Sequence, residues 1–140
     1  MSKENAEKYI SLLEKYLDDL HRFTAVPSSE IVDDEFRLHT TERAFQLVVD
    51  TAIDLNSFII RGGKLQMPDD NYSTFTLLGK NGYLDYSFAE KIASTVGLRN
   101  AVVHRYEKMS IVRMIDDIKQ VIPLYDKYLE DMKKTIRTLL

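Results

Sequence analysis

The stretch from Ser110 to Ile136 reads SIVRMIDDIKQVIPLYDKYLEDMKKTI. Its apolar residues recur at steps of three and four, the spacing that places side chains on one face of an α-helix. They are Ile111, Ile115, Ile118, Ile122, Tyr125, Leu129, Met132 and Ile136. Ser110 suits the N-cap, and Pro123 predicts a kink because proline removes an amide donor and crowds the preceding turn. The stretch therefore predicts one long amphipathic helix.

Two further long helices are predicted upstream. The apolar stripe of the first consists of Ile10, Leu13, Leu17 and Leu20. Pro27 ends this helix. The second runs from the early thirties to about Arg61 and ends at Gly62-Gly63. Its apolar residues cover more than one side, which is typical of a central helix.

The segment between these helices and the last one predicts shorter elements. Residues 64–72 read as a loop, Ser73 to Lys80 as a short helix, and a fourth main helix begins near Ser87 and runs towards Tyr106. No run of alternating apolar residues is long enough for a sheet. The predicted fold is all-α, a bundle of four main helices with short additional ones, in a single domain covering residues 1–140.

Composition narrows the function. The 140 residues include no cysteine, which excludes disulfides, thiolate zinc sites and cysteine nucleophiles. The N-terminus is charged and no apolar stretch reaches the roughly 18 residues of a membrane span, so we expect a cytoplasmic protein with no membrane partner. Because the net charge is −3, RNA binding would need a local basic patch.

The segment Arg99-Asn100-Ala101-Val102-Val103-His104-Arg105-Tyr106 concentrates polar groups. Asn100 and His104 are four residues apart, and Asn100 follows Val96 on the expected apolar face. Arg99 and His104 are separated by roughly 140° around a helix, so one chain converges them only through side-chain reach. A second copy across a two-fold axis would make convergence easier.

Two interpretations of this segment stay open on spacing alone. Residues 99–113 contain Arg99, Arg105, Lys108 and Arg113 but only one acid, Glu107, which makes a basic patch. Equally, such a histidine can cap a helix end, the arginine can pair with a carboxylate, and the tyrosine can pack in the core. Composition and spacing by themselves favour this structural interpretation.

The other two histidines, His21 and His39, lie among charged residues with no obvious partner and are interpreted as surface side chains. The three histidines have no metal-ligand spacing, so the sequence predicts no metal site.

The pattern Arg99-Asn100-x-x-x-His104-x-Tyr106 resembles the R-x4-6-H motif of the HEPN superfamily, specifically the R-x4-H-x-Y form of HepT-like toxins. The likeness covers most of the chain. It includes Glu42–Leu47 with Asp54-Leu55 beyond it, the segment Tyr72–Asn81, and Val96-Gly97-Leu98 before the motif. Arg105 departs from the pattern, because this position is often small or acidic; it leaves the motif intact and makes the patch more basic.

The resemblance implies a helical homodimer that acts as a metal-independent endoribonuclease, without a cofactor. It also implies an antitoxin partner, a minimal nucleotidyltransferase (MNT). Arg99 and His104 take the catalytic positions; Asn100 would orient the phosphate or hold the histidine tautomer, and Arg105 would add to RNA binding. For Tyr106 three roles stay open: shaping the cleft, accepting AMP from the MNT partner, or packing in the core.

Two alternatives to the ribonuclease toxin remain. One is a catalytically weak helical module that binds a nucleotidyltransferase or a nucleotide. The other is a helical scaffold whose motif is coincidental.

Overall fold

The computed structural model describes residues 2–104 and 110–140. In these two ranges the regular structure is helical, with no strand, which confirms the all-α prediction. The helices in chain order are α1 (Lys3–Phe23), α2 (Ser28–Asp33), α3 (Glu35–Gly62), α4 (Asn71–Lys80), α5 (Tyr86–Ala93), α6 (Thr95–His104) and α7 (Ile111–Leu139).

Side-chain caps explain where most of these helices begin. The Ser110 hydroxyl accepts a hydrogen bond from the Arg113 amide at 3.3 Å, as the sequence predicts. Carboxylates cap three other helices: Asp34 for α3, Asp70 for α4 and Asp85 for α5. Because Asp70 is a cap, α4 begins at Asn71, two residues earlier than predicted.

One predicted helix is divided in the structure, and another is preceded by a short additional helix. The chain after Pro27 first forms the short α2, and Asp34 then adopts an extended backbone (φ −112°, ψ 105°) before α3 begins. The predicted fourth main helix breaks at Ser94 into α5 and α6. There the Ser94 and Thr95 hydroxyls donate to the carbonyls of Lys91 and Ile92, and such side-chain bonds compete with regular helix bonding.

The central helix is α3, as its wide apolar coverage predicts. It packs against α1, α2, α4 and α6, and α7 closes the bundle against α1 and α2 and contacts α5 and α6. One hydrophobic cluster includes residues from every helix, with Phe45, Ile59 and Ile60 of α3 fully buried. Pro123 lies inside α7, and the chain is helical on both sides of it. None of the helices within the described ranges is long and apolar enough to cross a membrane.

Candidate active site on helix α6

Helix α6 carries three of the predicted site residues. It is buried through Thr95, Val96 and Val102, which face the core. Arg99 lies three residues from both Val96 and Val102 and is half-buried, whereas Asn100 and His104 are exposed. The expectation that Asn100 continues the apolar face is therefore wrong, because the packed face of α6 passes through Arg99. Two further predicted site residues, Arg105 and Tyr106, lie outside the described residues.

The side chain of Arg99 is held by Asp50 of α3. Its Nε donates to Asp50 Oδ1 at 2.9 Å and its Nη2 donates to Asp50 Oδ2 at 3.2 Å. This is the two-pronged geometry that makes arginine–carboxylate pairs strong and directional. Only 21% of the Arg99 side chain and 33% of the Asp50 side chain are exposed, so water screens the pair only in part.

A third bond involves Arg99 and its neighbour in the motif. Arg99 Nη1 donates to the Asn100 side-chain oxygen at 3.1 Å. The partners of Arg99 within the described ranges are thus Asp50 and Asn100. His104, at the last described position of α6, is exposed and is not among them. The sequence places Arg99 and His104 roughly 140° apart around the helix, which agrees with Arg99 being half-buried and His104 exposed.

An acidic residue offsets the charge of Arg99, one member of the expected basic patch. Asp50 contributes a negative charge directly at the guanidinium, and this acid lies 49 residues away in the sequence. Asp50 also affects Asp54, one turn along α3. Desolvation of the carboxyl and the nearby Asp50 carboxylate together raise the pKa of Asp54, although Arg61 opposes them.

A groove of about 380 Å³ separates α3 from the last turn of α6. Residues of α3 and two valines of α6 form its walls: His39, Glu42, Arg43, Gln46, Val102 and Val103. Val103 is 41% exposed there, beside His104 in the sequence. The surface next to the candidate site is therefore concave and mixes charged and apolar groups.

The remaining histidines are on the surface, as predicted, but His21 has a partner that the sequence did not reveal. Its Nε2 lies 2.8 Å from Asp126 Oδ1 of α7, and both side chains are about half exposed. His39 Nε2 lies 3.7 Å from Glu35 Oε1, one turn earlier on α3. No cluster of three or more potential metal-ligating side chains occurs in the described parts of the chain.

Sequence reasoning missed Asp50 as a member of this site. A local signal existed, because Asp50 is a carboxylate between the buried residues Val49 and Thr51 of the most buried helix. A charge at such a position calls for a partner. The identity of that partner depends on how α6 packs on α3, which spacing does not supply.

Comparison with known proteins agrees with this architecture. The profile of the family described as "Ribonuclease HepT-like" matches residues 13–132. The chain is 29% identical over 133 residues to the tRNA nuclease HepT of Aphanizomenon flos-aquae, covering 95% of this chain and 90% of that protein. It is 24% identical over 88 residues to the mRNA nuclease HepT of Shewanella oneidensis, covering 63% of this chain and 66% of that protein.

A solved structure shares the fold. It is the tri-AMPylated HEPN toxin of Shewanella oneidensis in complex with an MNT antitoxin, with a TM-score of 0.74 and 22% identity. The match covers 96% of this chain and 95% of that one. The helical bundle is therefore of the HEPN type.

Proposed function

The chain belongs to the HepT-like ribonuclease family, and on that premise we propose that it cleaves RNA at a site completed by a second copy of itself. It is an endoribonuclease that acts as the toxin of a toxin–antitoxin pair, and its antitoxin is an MNT nucleotidyltransferase. One observation supports the site best: Arg99 of α6 is held by Asp50 and keeps donors that none of the described residues uses, and His104 is exposed on the same helix.

The proposed reaction uses groups of the protein and the RNA alone. The 2′-hydroxyl beside the scissile phosphate attacks phosphorus as a base removes its proton, and the bond to the 5′-oxygen breaks as an acid protonates that oxygen. Histidine suits either role because it titrates near neutral pH. Arg99 stays charged and stabilises the negative charge that develops on the phosphoryl oxygens. We accordingly propose a metal-independent mechanism.

A homodimer would provide both proton-transfer groups. α6 carries one histidine, and the packing of α6 directs Arg99 towards α3 while His104 is exposed. Two copies of α6 related by a two-fold axis would bring a second His104 to the same phosphate. One imidazole then acts as the base and the other as the acid.

The remaining motif residues receive supporting roles. Asn100, which already accepts a bond from Arg99, would orient the phosphate or hold the tautomer of His104. Arg105 would add positive charge for RNA. Tyr106 is proposed as the acceptor of AMP from the antitoxin, because an added nucleotide brings bulk and negative charge to a site that must admit phosphate. We place the protein in the cytoplasm, where its RNA substrate and its antitoxin are found.

Cleavage by purified protein tests the catalytic assignment. Transfer RNA and messenger RNA are incubated in EDTA with the wild type, with His104→Ala and with His21→Ala as a matched histidine control. Loss of the general acid–base group should slow cleavage by about 10²–10⁴-fold. The His21 control should match the wild type. Undiminished cleavage by His104→Ala would refute the assignment, and activity that needs added Mg²⁺ would refute metal independence.

Intact mass after co-expression with the MNT protein tests Tyr106. Adducts of one or more AMP units should appear on the wild type and be absent from Tyr106→Phe. Adducts that persist in that variant would move the modification to another residue.

A further inference from the structure

We propose that Asp50 is a positioning residue for RNA cleavage, which sets the orientation in which Arg99 meets the scissile phosphate. The inference rests on the proposed function. It adds a residue from outside the R-x4-H-x-Y segment to the reaction.

The described partners of the guanidinium leave some of its donors for a ligand. An arginine has five N–H donors. Asp50 takes one from Nε and one from Nη2, and Asn100 takes one from Nη1. Within the described residues, one donor remains on Nη1 and one on Nη2. A phosphate can therefore accept hydrogen bonds from these donors without displacing Asp50.

Asp50, which orients Arg99, is held in place by the packing of α3. Asp50 lies within the 28 residues of α3, and its neighbours Val48, Val49, Thr51 and Ala52 are all buried. Ion pairs on a protein surface are usually worth little because both side chains move and water screens them. The Arg99–Asp50 pair differs, since its bonds are paired and both side chains are more than half buried. Holding Arg99 matters for rate, because a misplacement of about 1 Å in an active site can slow a reaction by about 10²-fold.

Because Asp50 is negatively charged, its role in positioning Arg99 can be distinguished experimentally from a role in RNA binding. Asp50 offsets the positive charge of Arg99 before RNA arrives, so it disfavours the binding of a polyanion. Replacing it with asparagine removes a negative charge and loosens Arg99. We expect RNA to bind the variant at least as tightly while cleavage becomes slower. A purely structural ion pair would not produce this opposite effect on binding and rate.

The experiment compares Asp50→Asn, Asp50→Glu and Asp19→Asn. Asp19 is the matched control: its side chain is 20% exposed and pairs with Lys15 and Arg22 on α1, away from α6. Single-turnover cleavage at saturating protein gives the rate, and RNA affinity is measured with each change placed in His104→Ala protein. Melting followed by circular dichroism gives the folded fraction at the assay temperature.

We expect Asp50→Asn to cleave about 10- to 100-fold more slowly with RNA affinity unchanged or higher. Asp50→Glu should recover part of the rate, because it restores the carboxylate. Asp19→Asn should match the wild type.

Any of four results would overturn the inference. If Asp50→Asn cleaves at the wild-type rate while His104→Ala does not, the proposed function stands and the role of Asp50 is wrong. If the loss of rate only follows the loss of folded protein, or RNA binding falls in parallel with it, Asp50 is structural. If the wild type cleaves neither transfer RNA nor messenger RNA, the proposed function fails and this inference fails with it.

Discussion

The hydroxyl oxygens of Thr95 and Tyr125 lie 2.6 Å apart in the protein interior, where they join the first residue of α6 to α7. Thr95 also bonds to the Ile92 carbonyl at 2.7 Å. A carbonyl can only accept, so the single hydroxyl proton of Thr95 is used there. Tyr125 must therefore donate to Thr95. This bond anchors the helix that carries Arg99 and His104.

The direction of that bond predicts unequal effects of removing either partner. Thr95→Val leaves the buried Tyr125 donor without its acceptor, which should lower the free energy of unfolding by about 1–3 kcal/mol. Tyr125→Phe leaves Thr95 bonded to Ile92 and should lower it by only about 0.5–1.5 kcal/mol. Urea denaturation of both variants and of the double variant measures this. Strictly additive effects would contradict a direct bond.

Asn56 connects α3 to α4 and α7 through buried side chains. It accepts a bond from the Tyr128 hydroxyl at 2.5 Å and donates to the Thr74 hydroxyl at 3.2 Å. Asn56→Leu should lower the free energy of unfolding by about 1–3 kcal/mol. Asn56→Asp should be worse at pH 7, because it buries a charge. Its folded state would bind a proton more tightly than its unfolded state, so its deficit should shrink as pH falls from 7 to 4. A deficit independent of pH in urea denaturation would be inconsistent with this site.

Two buried tyrosines predict loss of stability in alkali. Burial raises the pKa of Tyr125, and the nearby Asp50 carboxylate raises it further. Burial and the neighbouring Tyr125 raise the pKa of Tyr128 well above its usual 10.0. The folded state thus holds both phenol protons more tightly than the unfolded state. The free energy of unfolding should be insensitive to these groups below about pH 10 and should fall above it.

Absorbance at 295 nm during a pH titration checks this expectation. At least two of the eight tyrosines should ionise only together with unfolding. If all eight ionise while the circular dichroism stays native, the burial argument is wrong.

Asp54 and Asp19 should respond to substitution with opposite signs. Desolvation and Asp50 raise the pKa of Asp54, so its folded state binds a proton more tightly and the group destabilises the fold once ionised. Asp54→Asn should therefore raise stability at pH 7, with the gain disappearing below the usual pKa of 3.8. Thermal melts across pH 3–7 measure the effect.

For Asp19, desolvation is outweighed by hydrogen bonds and charge interactions with Lys15 and Arg22, which lower its pKa. Asp19→Asn should lower stability at pH 7, and the loss should vanish as pH falls through the depressed pKa. If Asp54→Asn and Asp19→Asn both raised or both lowered stability at pH 7, the opposite pKa shifts of these two carboxyls would be contradicted.

Mixed subunits test the proposed composite site. If cleavage needs His104 from both copies, a dimer with one His104→Ala subunit is inactive. After subunit exchange, an equal mixture of wild type and that variant should show about one quarter of the activity of the same total amount of wild-type protein, because only wild-type pairs work. Two independent sites would leave about one half. A tagged variant purified with untagged wild type confirms that subunits exchanged.

The sequence alone determined most of the helices, since their signals are local. The apolar stripe of the last helix, the Ser110 cap and the end of the central helix at Gly62 are set within one or two turns, and the structure confirms each; the left-handed backbone beyond that end lies at Lys64 and not at a glycine. The motif from Arg99 to Tyr106 was likewise visible by resemblance.

Tertiary structure decided what surrounds that motif. The break at Ser94 ends one helix and begins α6 in the register that leaves Arg99 half-buried and Asn100 exposed. The contact between Arg99 and Asp50 joins residues 49 positions apart. Helical periodicity states which residues share a face, but a partner on another helix depends on how the two helices pack, and that is set by the whole core. Residue types thus indicated the chemistry, while packing decided which groups hold Arg99 in place.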